Sequence, residues 1–114
     1  MKSLGFVGKL MFALVMAFFG VGHLMNADVM AGMVPSYMPA GVIIVYLTGV
    51  ALLAAAVSLL IGKKAQLAMT LLGVMLLLIA LMVHLPGGEA SMPMLLKDLA
   101  LAGAAWFMSA HVKD

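Results

Sequence analysis

The sequence has no cysteine and no arginine, and only 9% of its residues carry charge. Without cysteine, no disulfide, thiol relay, iron–sulfur cluster or thiolate zinc site can form within the chain. The 6 basic residues are all lysines, and the net charge is +2. They are too few and too scattered to build the basic stripe that nucleic acids require, so no nucleic-acid partner is expected. Alternation of period two is missing, which argues against a β-barrel. What is abundant is apolar surface: 67% of the 114 residues are hydrophobic, and mean hydropathy is +1.27. A soluble domain has roughly 45–50% apolar and about 25% charged residues. A water-soluble globule of this size could not hide so much apolar surface, and disorder is excluded by the same numbers. The chain therefore reads as an integral membrane protein whose first partner is the lipid bilayer.

A spanning helix needs about 20 mostly apolar residues. Four stretches qualify, over residues 6–24, 41–61, 66–83 and 95–110. The connections are Met25 to Ala40, Gly62 to Ala65 and His84 to Met94. The link Gly62-Lys63-Lys64-Ala65 is so short that it makes spans two and three antiparallel neighbours. The expected fold is all-α: a single-domain, integral membrane, antiparallel four-helix bundle over residues 1–114. Small residues spaced four apart let helices approach closely in lipid. Ala51 with Ala55, Ala54 with Ser58, and Ala100 with Ala104 mark such faces. The first span has lysines before it and a Val29-Met30-Ala31 resembling a cleavage site. Its uncharged run from Leu10 to Ala27 has spanning length, so it reads as a retained helix.

Lysines favour the cytoplasmic side. With alternating spans, Lys2, Lys9, Lys63, Lys64 and Lys113 share one side, and Lys97 lies toward the other. Both termini are then cytoplasmic, as in a bacterial inner membrane, and Asp28, Glu89 and Asp98 lie at the outer end.

Polar residues are the informative minority here, and most gather at that outer end. His23 closes span one, and His84 closes span three. Ser36 and Tyr37 lie in the first outer loop, and Glu89 in the second. Lys97 and Asp98 open span four. The ligand-binding candidates are His23, Tyr37, His84, Lys97 and Asp98. Adjacent residues on a helix point in different directions, so Lys97 and Asp98 are expected to find separate partners. Lys97 could instead extend outward or offer its cation to an anionic or carbonyl group. Pro35 and Pro39 break helix and set the loop before span two, with Tyr37 between them. His23 and His84 end helices on one side, the minimum for bis-histidine haem ligation. They sit where interfacial histidines are ordinary, so haem is not the favoured cofactor. Methionines Met25, Met30, Met33, Met38, Met92 and Met94 cluster at the same end, but Met is also a common gap-filling residue, and copper is not favoured either. No metal site is expected. The span centres hold little polarity beyond Thr48, Ser58 and Thr70, and no carboxylate, which argues against a proton-coupled transporter or a pore.

Three stretches together resemble the DoxX family of small four-helix membrane proteins. The first is Phe18-Phe19-Gly20-Val21-Gly22-His23. The second is Met33-Val34-Pro35-Ser36-Tyr37-Met38-Pro39, followed by Tyr46-Leu47-Thr48-Gly49-Val50. The third is Leu95-Leu96-Lys97-Asp98-Leu99-Ala100-Leu101-Ala102-Gly103. Many family members carry a glutamate just after the glycine of helix two, whereas this chain reads Gly49-Val50-Ala51. The resemblance implies a membrane subunit of a redox-linked assembly, with a quinone-type lipophilic ligand as the expected cofactor or substrate. His23 and Lys97 would then bond a carbonyl oxygen, with Tyr37 or His84 as proton partner. Catalysis by this chain alone is not expected, and other membrane subunits or further copies of the chain are the expected protein partners. The competing reading is a non-catalytic scaffold or accessory subunit, whose outer loops and small-residue faces dock other chains.

Overall fold

The computed structural model describes residues 2–34, 36 and 41–112. It is all-helical. The chain runs through α1 (Lys2–Met25), a short α2 (Ala27–Met30) and a 3₁₀ turn at Ala31–Met33. It continues through α3 (Gly41–Ile61) and α4 (Ala65–Ile79), then a π turn at Ala80–His84, 3₁₀ turns over Leu85–Ser91, and α5 (Met92–His111). In lipid, backbone N–H and C=O groups find no water, so an apolar chain satisfies them within each helix. Three helical runs are long and apolar enough to cross a membrane: Ser3–Met25, Gly41–Ile61 and Ala65–His111.

The last run has 47 residues. A straight helix of that length would reach about 70 Å. The longest dimension of the fold is 44 Å, so the run must fold back on itself. It does so at Gly88, whose φ of 72° and ψ of −151° suit glycine alone. α4 with its π turn and α5 are therefore two antiparallel arms lying side by side. A turn at Gly62–Lys64 reverses the chain between α3 and α4, with Gly62 and Lys64 both at positive φ.

Pairing is uneven around the bundle. α1 packs along α3, and α4 packs along α5, with a lighter seam between α3 and α4. The α1–α3 crossing is closest at two glycines. A Cβ on Gly20 would lie 2.9 Å from the Gly49 carbonyl oxygen, and one on Gly49 would lie 3.0 Å from that of Gly20. Below the crossing, Met16, Leu59 and Met69 are fully buried in a core to which all four long helices contribute. Outward faces carry large apolar side chains such as Leu4, Phe18, Leu47 and Phe107, as a lipid-facing surface should.

Some boundaries differ from the sequence reading. α3 spans Gly41–Ile61, as expected. α1 begins at Lys2 rather than Phe6, because no proline precedes Phe6 to stop the helix there. α5 begins at Met92 rather than Leu95, because a proline is tolerated in a helix's first turn and Pro93 sits there. The outer connections hold α2 and the 3₁₀ turns rather than open loop. Of the small-residue faces, Ala55 is buried while Ala54 and Ala100 are exposed, and the α1–α3 crossing is made by Gly20 and Gly49.

Candidate functional site

The inward stripe of α5 reads Leu95, Asp98, Ala102 and Ala105. These steps of three and four residues define one helix face. Asp98 therefore points into the bundle, and only 4% of its surface is exposed. Lys97, one residue away, is turned outward, with 41% of its side chain exposed.

The inward stripe of α4 ends Leu72, Leu76, Ala80, His84. Repeated steps of four overrun the 3.6-residue period, and an inward face would drift away. The π turn at Ala80–His84 winds more widely and absorbs that excess. It leaves His84 facing α5, 5% exposed.

These two placements produce a buried pair. His84 Nε2 lies 3.0 Å from Asp98 Oδ2. The other carboxylate oxygen, Oδ1, lies 3.5 Å from Lys97 Nζ. A carboxylate at this depth needs such partners, because uncompensated charge is expensive out of water. Lys97 thus does share its neighbour's charge, contrary to the sequence expectation. Its flexible four-carbon stem brings the ammonium back to Asp98 although the two Cβ atoms diverge. The same ammonium stands 4.8 Å from the centre of the Phe19 ring on α1, a cation–π contact that joins α5 to α1.

His23 sits one turn beyond Phe19. Its Nδ1 is 2.7 Å from the Phe19 carbonyl oxygen. A carbonyl oxygen can only accept, so Nδ1 carries the proton and donates it. In the neutral ring, Nε2 is then an acceptor.

Between these groups lies a cavity of about 280 Å³ at the Gly88 end of the bundle, the end that the sequence reading places outside. It is walled mainly by apolar side chains from α1, α3, α4 and α5, among them Ile44, Leu52, Leu76 and Leu101. His23, His84, Lys97 and Asp98 all line it. Four of the five ligand-binding candidates thus converge on one space. Tyr37, the fifth, lies outside the described residues, as do Pro35, Met38 and Pro39.

The other polar residues of this end stand apart. Asp28, Ser36 and Glu89 are exposed, and none lines the cavity. Met30 and Met94 do line it. Thr48 also reaches the wall, with its hydroxyl donating to the Ile44 carbonyl. His111 lies at the opposite end, stacked on Phe107. Among the described residues, no group of three or more His, Asp or Glu side chains is arranged to hold a metal ion.

The sequence reading placed His84 at the membrane interface and missed its burial. The 72–76–80–84 stripe was the available signal. The pairing with Asp98 depends on how two helices meet and has no local signature.

The arrangement offers an ammonium, a buried carboxylate–imidazole pair and an imidazole acceptor around a mainly apolar volume. It can bind and orient a lipophilic molecule with a polar end. The chain matches no protein-family model, no curated protein and no solved structure, so what the fold identifies is a small all-helical membrane protein with three long apolar helical runs.

Proposed function

We propose that this protein is a DoxX-like membrane subunit of a redox-linked assembly, holding the head of a quinone-type lipophilic ligand at the outer membrane face. The observation that carries the proposal is the convergence of His23, His84, Lys97 and Asp98 on one apolar-walled cavity. Its volume, about 280 Å³, is close to twice the ~150 Å³ of a cavity that holds benzene. One substituted ring fits, and a longer tail has to leave between the helices into the bilayer. Lys97 supplies the donor for a ring carbonyl. Asp98 holds Lys97 and His84 at the wall, so the Lys97 donor is oriented before a ligand arrives. The residues bind and position, and the electron carrier belongs to a partner subunit. Lysine placement orients the chain with both termini in the cytoplasm of a bacterial cell and the cavity toward the periplasm.

The test is organic extraction of protein purified gently from its own membrane, followed by mass spectrometry. A quinone at near-stoichiometric amount is the expected result. A co-purifying polypeptide with no small molecule would overturn the ligand reading and make the chain a scaffold.

A further inference from the structure

The hydrogen-bonding capacity of the cavity wall is unequal, and that inequality bears on the ligand. Each Asp98 oxygen already has one partner, His84 on Oδ2 and Lys97 on Oδ1. His84 Nε2 is committed to Asp98. Thr48 donates to its own helix. Lys97 and His23 both retain capacity toward the cavity, and both are held by Phe19. Lys97 has three N–H bonds to give, and Asp98 and the Phe19 ring engage only part of that capacity. His23 has Nε2, which takes no hydrogen bond from any described residue. Since Nδ1–H donates to the Phe19 carbonyl, neutral His23 offers the cavity a lone pair and no proton.

We infer that the cavity selects a ligand carrying a hydroxyl at its polar end, a phenol or an alcohol on an apolar body, over one that can only accept, so that of a quinone-type pair it favours the hydroxyl-bearing quinol over the quinone. This rests on the cavity being a lipophilic-ligand site. Phe19 ties the two groups together: its carbonyl holds the His23 ring and its own ring carries the Lys97 ammonium. One hydroxyl oxygen can serve both, donating its hydrogen to His23 Nε2 and accepting from Lys97 Nζ. A ketone or ether oxygen serves Lys97 alone and leaves the His23 lone pair facing apolar ligand. Leaving a desolvated acceptor unmatched costs about tenfold or more in affinity. In this light His23 does not share the donation to a carbonyl that the sequence reading gave it. It is an acceptor that reads the ligand's hydrogen.

The experiment compares 4-propylphenol with 4-propylanisole, which share an apolar body and differ in that a methyl group replaces the hydroxyl hydrogen. Equilibrium dialysis against the full chain in lipid nanodiscs measures each, counted above protein-free nanodiscs. The phenol is expected to bind about tenfold more tightly or better. His23→Phe, which keeps a ring and removes the acceptor, is expected to bring the two affinities together. Should that variant misfold, the wild-type ratio still decides. Equal binding of both probes, or a preference for the ether, overturns the assignment of His23 while leaving the cavity a binding site. Binding of neither above the protein-free discs overturns the binding site itself, and the selectivity with it.

Discussion

α4 and α5 are joined by polar contacts at both ends, and the two ends are built to opposite effect. Near the Gly62–Lys64 turn, the joint is a neutral seam. Gln66 Nε2 donates to the Ser109 carbonyl, and Ser109 Oγ donates to the Gln66 carbonyl. Trp106 Nε1 donates to the Thr70 carbonyl, and the Thr70 and Ser109 hydroxyls bond each other. Trp106 fills the space that a Cβ on Gly73 would take. Most of these bonds cross to the facing arm, while Thr70 Oγ1 also donates to the Gln66 carbonyl of its own helix. At the outer end the joint is charged, made of His84, Asp98 and Lys97, and it faces a cavity instead of closing over it. Polar groups that satisfy one another across a helix pair serve as adhesive in lipid. Polar groups that converge on an apolar volume with capacity left over are what a binding site requires.

The contrast can be broken most forcefully at Asp98. Asp98→Ala leaves His84 buried without its acceptor and Lys97 without its counter-charge. Leaving a buried hydrogen-bond donor without its charged partner costs about 3 kcal/mol. Thermal unfolding in nanodiscs should register that loss, and Asp98→Asn, which keeps the shape and an acceptor oxygen, should lose less. Next in size is the α1–α3 crossing, which places His23 beside the cavity. Gly49→Leu introduces a Cβ 2.9 Å from His23 Cβ and 3.0 Å from the Gly20 carbonyl oxygen. Overpacking of this kind costs about 1–3 kcal/mol and should move α1 away from α3. Cross-linking between cysteines introduced at Val21 and Val50 should report the separation. Smallest is the seam. A double-mutant cycle of Thr70→Val and Ser109→Ala should give a coupling near the ~0.6 kcal/mol average for hydrogen bonds between membrane helices. A seam coupling as large as the Asp98 effect would erase the distinction between the two ends.

Much of the bundle was legible in the sequence because apolar run length is a strong signal in lipid. The bounds of α3 follow from it directly. The tight reversal at Gly62–Lys64 follows from a link too short for anything else. Convergence of His23, His84, Lys97 and Asp98 at one depth was also legible, since it needs only alternating spans. Three features were not. The His84–Asp98 pair depends on the phase of two helices, and that phase is set by a π turn whose trace is a repeat of four-residue steps. The return of Lys97 to its neighbour depends on side-chain length, which helix spacing rules ignore. The Gly20–Gly49 contact lies off the alanine stripes, because α1 and α3 cross where both helices lack a side chain.

The central claim is that the outer end holds a ligand and the seam does not. Native mass spectrometry of protein released from its own membrane tests it most directly, with three forms side by side: wild type, His23→Ala/Lys97→Ala, and Thr70→Val/Ser109→Ala. A bound small-molecule mass is expected on the wild type and the seam variant, and its loss is expected in the cavity variant with the fold retained. An adduct that persists in the cavity variant, or one that disappears only in the seam variant, would contradict the account.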